Sequence, residues 1–251
     1  MKLRHAIVAA AFGLICAPAL ALPVTLSGIV AVWEFAVPPS INASITGPGS
    51  LTTVRWGTGV PNAADQSGYN FSVVTGGTAA FDVPPDSPAT LLGTFDHLNF
   101  PIQGTTLNTI QLKVTADVNV NGTDEGLRDF VFNFQHFETP NSDDPCQFGG
   151  SPGVGDNAPT GCRDKVVVSF NNSSENFIVG GVEYTLDILG FSKDNGATIA
   201  TEFLTTEGQE NNADLFARVR TTTVQVPEPA SLALIGLGML AAGFVRRRSS
   251  R

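Results

Sequence analysis

Six side chains, Ile110, Leu112, Val114, Ala116, Val118 and Val120, are apolar or small at every second position of one unbroken stretch. Only an extended chain gathers such positions on a single face. Asn121-Gly122 then closes the stretch with the residues that a two-residue hairpin turn demands. Phe130, Phe132 and Phe134 resume the same period on the far side, and Val166, Val168 and Phe170 repeat it. Further β-branched and aromatic runs lie at Thr25–Phe35, Thr52–Trp56, Tyr69–Val74, Phe177–Val179, Gly181–Phe191 and Ala217–Gln225, with Thr221–Val226 read as the last strand or an extended linker. Gly, Pro and Asn separate them. The spacing predicts about nine or ten short strands. No amphipathic helix is present to cover a one-sided sheet, so a second sheet must. The expected class is all-β, a two-sheet β-sandwich of jelly-roll-like form. Long loops are expected at Pro84–Pro88, Asp143–Gly161 and Asp194–Asn212.

The two ends do not share this pattern. Lys2 and Arg4 precede an apolar run from Ala6 to Ala17, and Pro18-Ala19-Leu20-Ala21 supplies small residues at Ala19 and Ala21. These three parts in order make a signal peptide, cut after Ala21 to leave Leu22 first. At the other end Pro227-Glu228-Pro229 leads into an uncharged run from Ala230 to Val245, followed by Arg246, Arg247 and Arg248. As a helix the run would reach about 24 Å, short of the roughly 30 Å hydrocarbon core, a gap that thinning and snorkelling arginines close. The arginines should stay cytoplasmic and the body outside the inner membrane. The chain therefore divides into a signal peptide (1–21), a β-sandwich body (22–225) and a sorting segment with a transmembrane helix and arginine tail (226–251). The body holds 8 Lys and Arg against 22 Asp and Glu, a net charge of −14. Such a surface repels nucleic acid, which excludes that class of partner.

Of the cysteines, Cys146 and Cys162 remain after cleavage. A disulfide between them would close a loop of about 15 residues and stabilise by about 3 kcal/mol. A metal pair is the alternative, but His136 alone would not complete a tetrahedral set. Asp96, His97 and Asn99 form a polar cluster in which His97 and Asn99 share one strand face and Asp96 takes the other. They read either as ligand or metal contacts or as groups bonding neighbouring backbone at a sheet corner. Asp117, Asn119, Asp124 and Glu125 place oxygens near the Asn121-Gly122 turn. That makes calcium the one cofactor to consider, although Arg128 stands where a calcium loop needs an acidic closer. Asp143, Asp144 and Asp156 read as solvated loop residues. No nucleophile elbow, phosphate loop, dinucleotide fingerprint or zinc-protease motif occurs, so no catalytic residue is assigned and no enzyme is expected. Trp33, Trp56 and Tyr69 are the aromatics that a carbohydrate-binding face would use.

The tail resembles the PEP-CTERM sorting signal through Pro227-Glu228-Pro229, the apolar run and Arg246-Arg247-Arg248. That resemblance implies an exosortase-type transpeptidase as partner, transient residence in the inner membrane, and delivery to the cell surface or extracellular matrix. The body resembles the choice-of-anchor K, or THxN, family through Arg55-Trp56-Gly57, Ser67-Gly68-Tyr69-Asn70-Phe71 and the stretch Leu92 to Ile102. His97 and Asn99 match the Thr-His-x-Asn motif, while Asp96 stands in place of its threonine. The expected function is a structural or interaction protein of the surface or exopolysaccharide matrix. A carbohydrate-binding module is the alternative, and a polysaccharide hydrolase a more distant one.

Overall fold

The computed structural model describes residues 20–41, 43–81, 88–153, 161–170, 175–224, 236 and 238. Fifteen strands lie among them: β1 (Val24–Val37), β2 (Ser44–Ile45), β3 (Leu51–Trp56), β4 (Thr58–Gly59), β5 (Ser67–Val73), β6 (Ala79–Phe81), β7 (Thr90–Asn99), β8 (Ile102–Gln103), β9 (Thr109–Val120), β10 (Thr123–Phe137), β11 (Asp164–Phe170), β12 (Phe177–Val179), β13 (Val182–Ser192), β14 (Glu202–Thr205) and β15 (Gln209–Thr223). One sheet runs β14-β11-β10-β9-β1-β6 and the second β12-β13-β15-β7-β5-β3-β2, with β4 and β8 as a small third pair. The pairings of the two large sheets are antiparallel, as short connections require.

The period-two reading holds along β9 and β10. Val120 pairs with Thr123 across the Asn121-Gly122 turn, where both residues take positive φ (49° and 89°). A type I′ turn needs left-handed backbone at both positions, and Asn-Gly supplies it with least strain. Ile110, Leu112, Val114, Ala116, Val118 and Val120, with Phe130, Phe132 and Phe134, face inward and are buried.

Aromatic rings close the space between the sheets. Trp33 of β1 packs edge-on to Phe134 of its own sheet, centroids 5.0 Å apart, and lies 5.5 Å from Tyr69 and 6.3 Å from Phe95 of the other. Phe95 and Phe134 meet at 5.5 Å, and Phe191 lies 5.3 Å from Phe95. A large aromatic layer at this density is what lets two one-sided sheets form a single core.

Two expectations need correction. The stretch Asp194–Asn212 is not a long loop, because it contains β14 and the start of β15. β14 is a short edge strand facing inward with only Phe203 and Thr205, and it carries Glu202 and Leu204 outward. Thr90–Asn99, which lacks clean alternation around Gly93, is a central strand bonded to both β5 and β15. The alternation also breaks at Phe35, which has φ 53° between two irregular pairings and is left 71% exposed.

Candidate functional site

Four inward-facing series end in polar residues at the same end of the core. In β10, Phe130-Phe132-Phe134 is continued by His136; in β7, Phe95 by His97 and Asn99. Asp164 precedes Val166 and Val168 at the start of β11, and Thr205 follows Phe203 at the end of β14. Glu207 comes next in the turn leading to β15. His97, Asn99, Asp164 and Thr205 are wholly buried, and His136 and Glu207 nearly so. A buried polar layer must satisfy its own hydrogen bonds.

Most of its groups do so across the two sheets, while His97 Nε2, Thr139 Oγ1 and Glu207 Oε1 have no partner. The amide of Asn99 is oriented by its surroundings: its nitrogen donates to Asp164 Oδ2 (3.0 Å) and Glu207 Oε2 (2.8 Å), and its oxygen accepts from Thr205 Oγ1 (3.2 Å). Thr205 Oγ1 also lies 3.0 Å from His97 Nδ1 and 3.4 Å from the Asp164 carbonyl. A hydroxyl has one hydrogen to give. That hydrogen can serve only one of its three neighbours, and the His97 tautomer decides whether Nδ1 donates to Thr205 or accepts from it. His97 Nε2 has no hydrogen-bond partner. Between the sheets, the Tyr69 hydroxyl of β5 lies 2.7 Å from His136 Nδ1 of β10, and Glu138 Oε2 lies 3.1 Å from His136 Nε2. The Thr139 amide donates to Asp164 Oδ1 at 2.8 Å.

The electrostatics follow from burial. Loss of water holds His97 well below the ordinary histidine value, with His136 adding to the effect, and lowers His136 to about 4. Both rings are therefore neutral at pH 7, the form that can donate a lone pair. The same loss of water raises Asp164 and Glu138, and the Glu138 carboxylate raises Asp164 further. Glu207 is pushed up to about 7, again chiefly by burial. One nitrogen from each of His97 and His136 and one oxygen of Asp164 lie within 4.8 Å of one another. Among the described residues these are the groups placed to hold a metal ion.

Of the residues singled out in the sequence, His97 and Asn99 are in this site. Their partners are side chains of the facing sheet and the turn after it, not neighbouring backbone. Asp96 points to the opposite face, as the strand period requires, near Arg55, Asn70 and Glu210. Burial and Glu210 raise its carboxyl. Arg55 donates to Asn70 Oδ1 (2.6 Å) and to the Tyr69 carbonyl (2.9 Å). Glycan contact by Trp33, Trp56 and Tyr69 is overturned: they are at most 1% exposed, because their rings fill the gap between the sheets. Asp117, Asn119, Asp124 and Glu125 sit on the β9–β10 hairpin, where Asn119 Oδ1 accepts from Gly122 N (2.7 Å) and Asp124 Oδ1 from Gly126 N (2.8 Å). Those two oxygens shape the turn and its bulge.

Cys146 and Cys162 form the expected disulfide, with Cα atoms 5.1 Å apart. Its loop abuts the polar layer: Asn141 Oδ1 accepts from the Cys162 amide (2.9 Å), and a Cβ on Gly161 would collide with Asn141 and Glu207. Asp143 and Asp144 are exposed, while Asp156 lies outside the described residues. So do Ala19 and all six sorting residues, Pro227, Glu228, Pro229, Arg246, Arg247 and Arg248. The apolar run is outside them except for Gly236 and Gly238, and among the described residues no helix is long and apolar enough to cross a membrane. Leu22 is partly buried against the core and its amide donates to the Tyr184 hydroxyl at 2.8 Å.

Residues 225–249 match the family model of the PEP-CTERM protein-sorting motif. The motif implies sorting by an exosortase-type system, hence a secreted, surface-directed protein that passes through the membrane. No curated protein matches the chain. The family match covers the tail alone and does not extend to the Arg55–Ile102 stretch.

Proposed function

We propose that the body is a structural or interaction module displayed at the cell surface or in the exopolysaccharide matrix, a jelly-roll-like sandwich with no catalytic role. The observation that carries this reading is the sorting motif at residues 225–249 behind an acidic all-β body. Proline disfavours helix, and an extended peptide is the form that a processing enzyme can bind. The acidic body suits an aqueous, cation-rich exterior. The rings once available for a sugar-binding reading are inside the core, which favours the structural reading over the carbohydrate-binding one. Removal of residues 227–251 tests the proposal. The truncated protein should be lost from the surface fraction and accumulate in the periplasm. A truncated chain that still reaches the surface in the original amount overturns it.

A further inference from the structure

The polar layer contains more than hydrogen bonding requires. We propose that His97, His136 and Asp164 bind one divalent transition-metal ion of the zinc class, which ties the two sheets together at the end of the core beside the disulfide.

Three observations converge. First, one donor atom from each residue lies within 4.8 Å of the others, and the three come from β7 on one sheet and from β10 and β11 on the other. A tetrahedral ion with bonds of about 2.0–2.1 Å sets its ligands about 3.3 Å apart, so side-chain motions of an ångström or so complete the set. Second, His97 is fully buried and its Nε2 has no hydrogen-bond partner. A bond from Nδ1–H to Thr205 would present Nε2 to a metal as a free lone pair, the same outer arrangement that orients metal-bound histidines. Third, the His136 ring is oriented by partners of its own: the Tyr69 hydroxyl lies 2.7 Å from Nδ1 and Glu138 Oε2 lies 3.1 Å from Nε2.

The donor chemistry selects the ion. Two imidazoles with carboxylates suit zinc and its neighbours, whereas calcium and magnesium take oxygen ligands. Burial selects the role. A closed site with every ligand inside the core contributes to folding and has no open corner for a substrate. The ion also offsets the charge of the buried carboxylates. This inference stands apart from the sorting proposal, because it concerns the body alone.

The test uses the untagged full chain in detergent, unfolded with a chelator present and refolded with and without zinc. One zinc per chain should be retained. The folding constant should rise about tenfold for each tenfold rise in free zinc above the dissociation constant. Cobalt in place of zinc should give the intense visible bands of a tetrahedral site. His97→Gln and His136→Gln should each abolish those bands. If either variant fails to fold, the wild-type cobalt spectrum and zinc dependence still decide. A wild-type chain that retains neither metal and whose unfolding ignores free zinc overturns the proposal. So does zinc that is retained equally by both folded variants.

Discussion

Replacement of Thr205 by valine removes one oxygen and almost no volume, so it isolates the hydrogen bonds of the polar layer from its packing. Thr205 is wholly buried and its hydroxyl serves His97 Nδ1 at 3.0 Å and the Asn99 oxygen at 3.2 Å. Valine leaves both groups buried without a partner. Each orphaned group costs about 1–3 kcal/mol, so Thr205→Val should destabilise by about 2–5 kcal/mol. Thr205→Ser keeps the oxygen and loses one methyl, at about 1 kcal/mol. Trp33 and Trp56, the two tryptophans of the chain, are each 1% exposed, and their fluorescence reports on the core directly. With a urea slope of about 3 kcal/mol per M, the valine midpoint should fall by about 1 M and the serine midpoint by about a third of that. Chelator in every sample removes any contribution from bound metal. Equal midpoints for the two variants would refute the assignment of Thr205 as the hydroxyl that fixes His97 and Asn99.

Three more outcomes follow from the fold. Phe134→Ala should cost about 3–5 kcal/mol, while Phe35→Ala should stay within about 0.5 kcal/mol in the same urea titration, because Phe134 is enclosed by four rings and Phe35 is 71% exposed. Replacing Cys146 and Cys162 together by serine should lower stability by about 3 kcal/mol, measured against the oxidised parent under non-reducing conditions. Asp194 accepts from Ser192 Oγ (2.7 Å) and the Thr198 amide (2.9 Å), and these bonds hold its carboxyl below the ordinary value. They hold above the unfolded aspartate pKa and are lost as pH falls through the lower folded one. Exchange of the Thr198 amide should therefore show an added acid-side acceleration that Asp194→Asn abolishes.

Much of the architecture was legible because period two is unambiguous where both sheet faces differ. Ile110 to Val120, Asn121-Gly122 and Phe130 to Phe134 specify a hairpin, its turn and its buried face with no other information. The strand missed in Thr90–Asn99 shows the converse. Gly93 sits where a Cβ would strike Phe71 and the backbone of Ser72, so close strand approach is bought there with a residue that blurs the pattern. Glu202–Thr205 was hidden for another reason: a four-residue edge strand carries only two inward side chains, too few to reveal a period.

The polar layer was only half legible, and the half that was missed follows a rule that one strand at a time does not reveal. His136 stands two residues after Phe134, His97 two after Phe95, Asp164 two before Val166, and Thr205 two after Phe203. Each is therefore an inward position occupied by a group that water would prefer to keep. In a single strand such a residue reads as the point where burial ends. In four strands it reads otherwise only when the topology brings the four ends together, as the order β14-β11-β10 facing β15-β7-β5 does here. Two adjacent sheets that simply ran out of core would turn their terminal polar groups toward solvent. These remain buried and bond across the gap, and of the layer's imidazole nitrogens His97 Nε2 is left without a partner. His97 and Asn99 could be singled out together because they are local in sequence; their partners lie 39 to 108 residues away and could be found only through the fold.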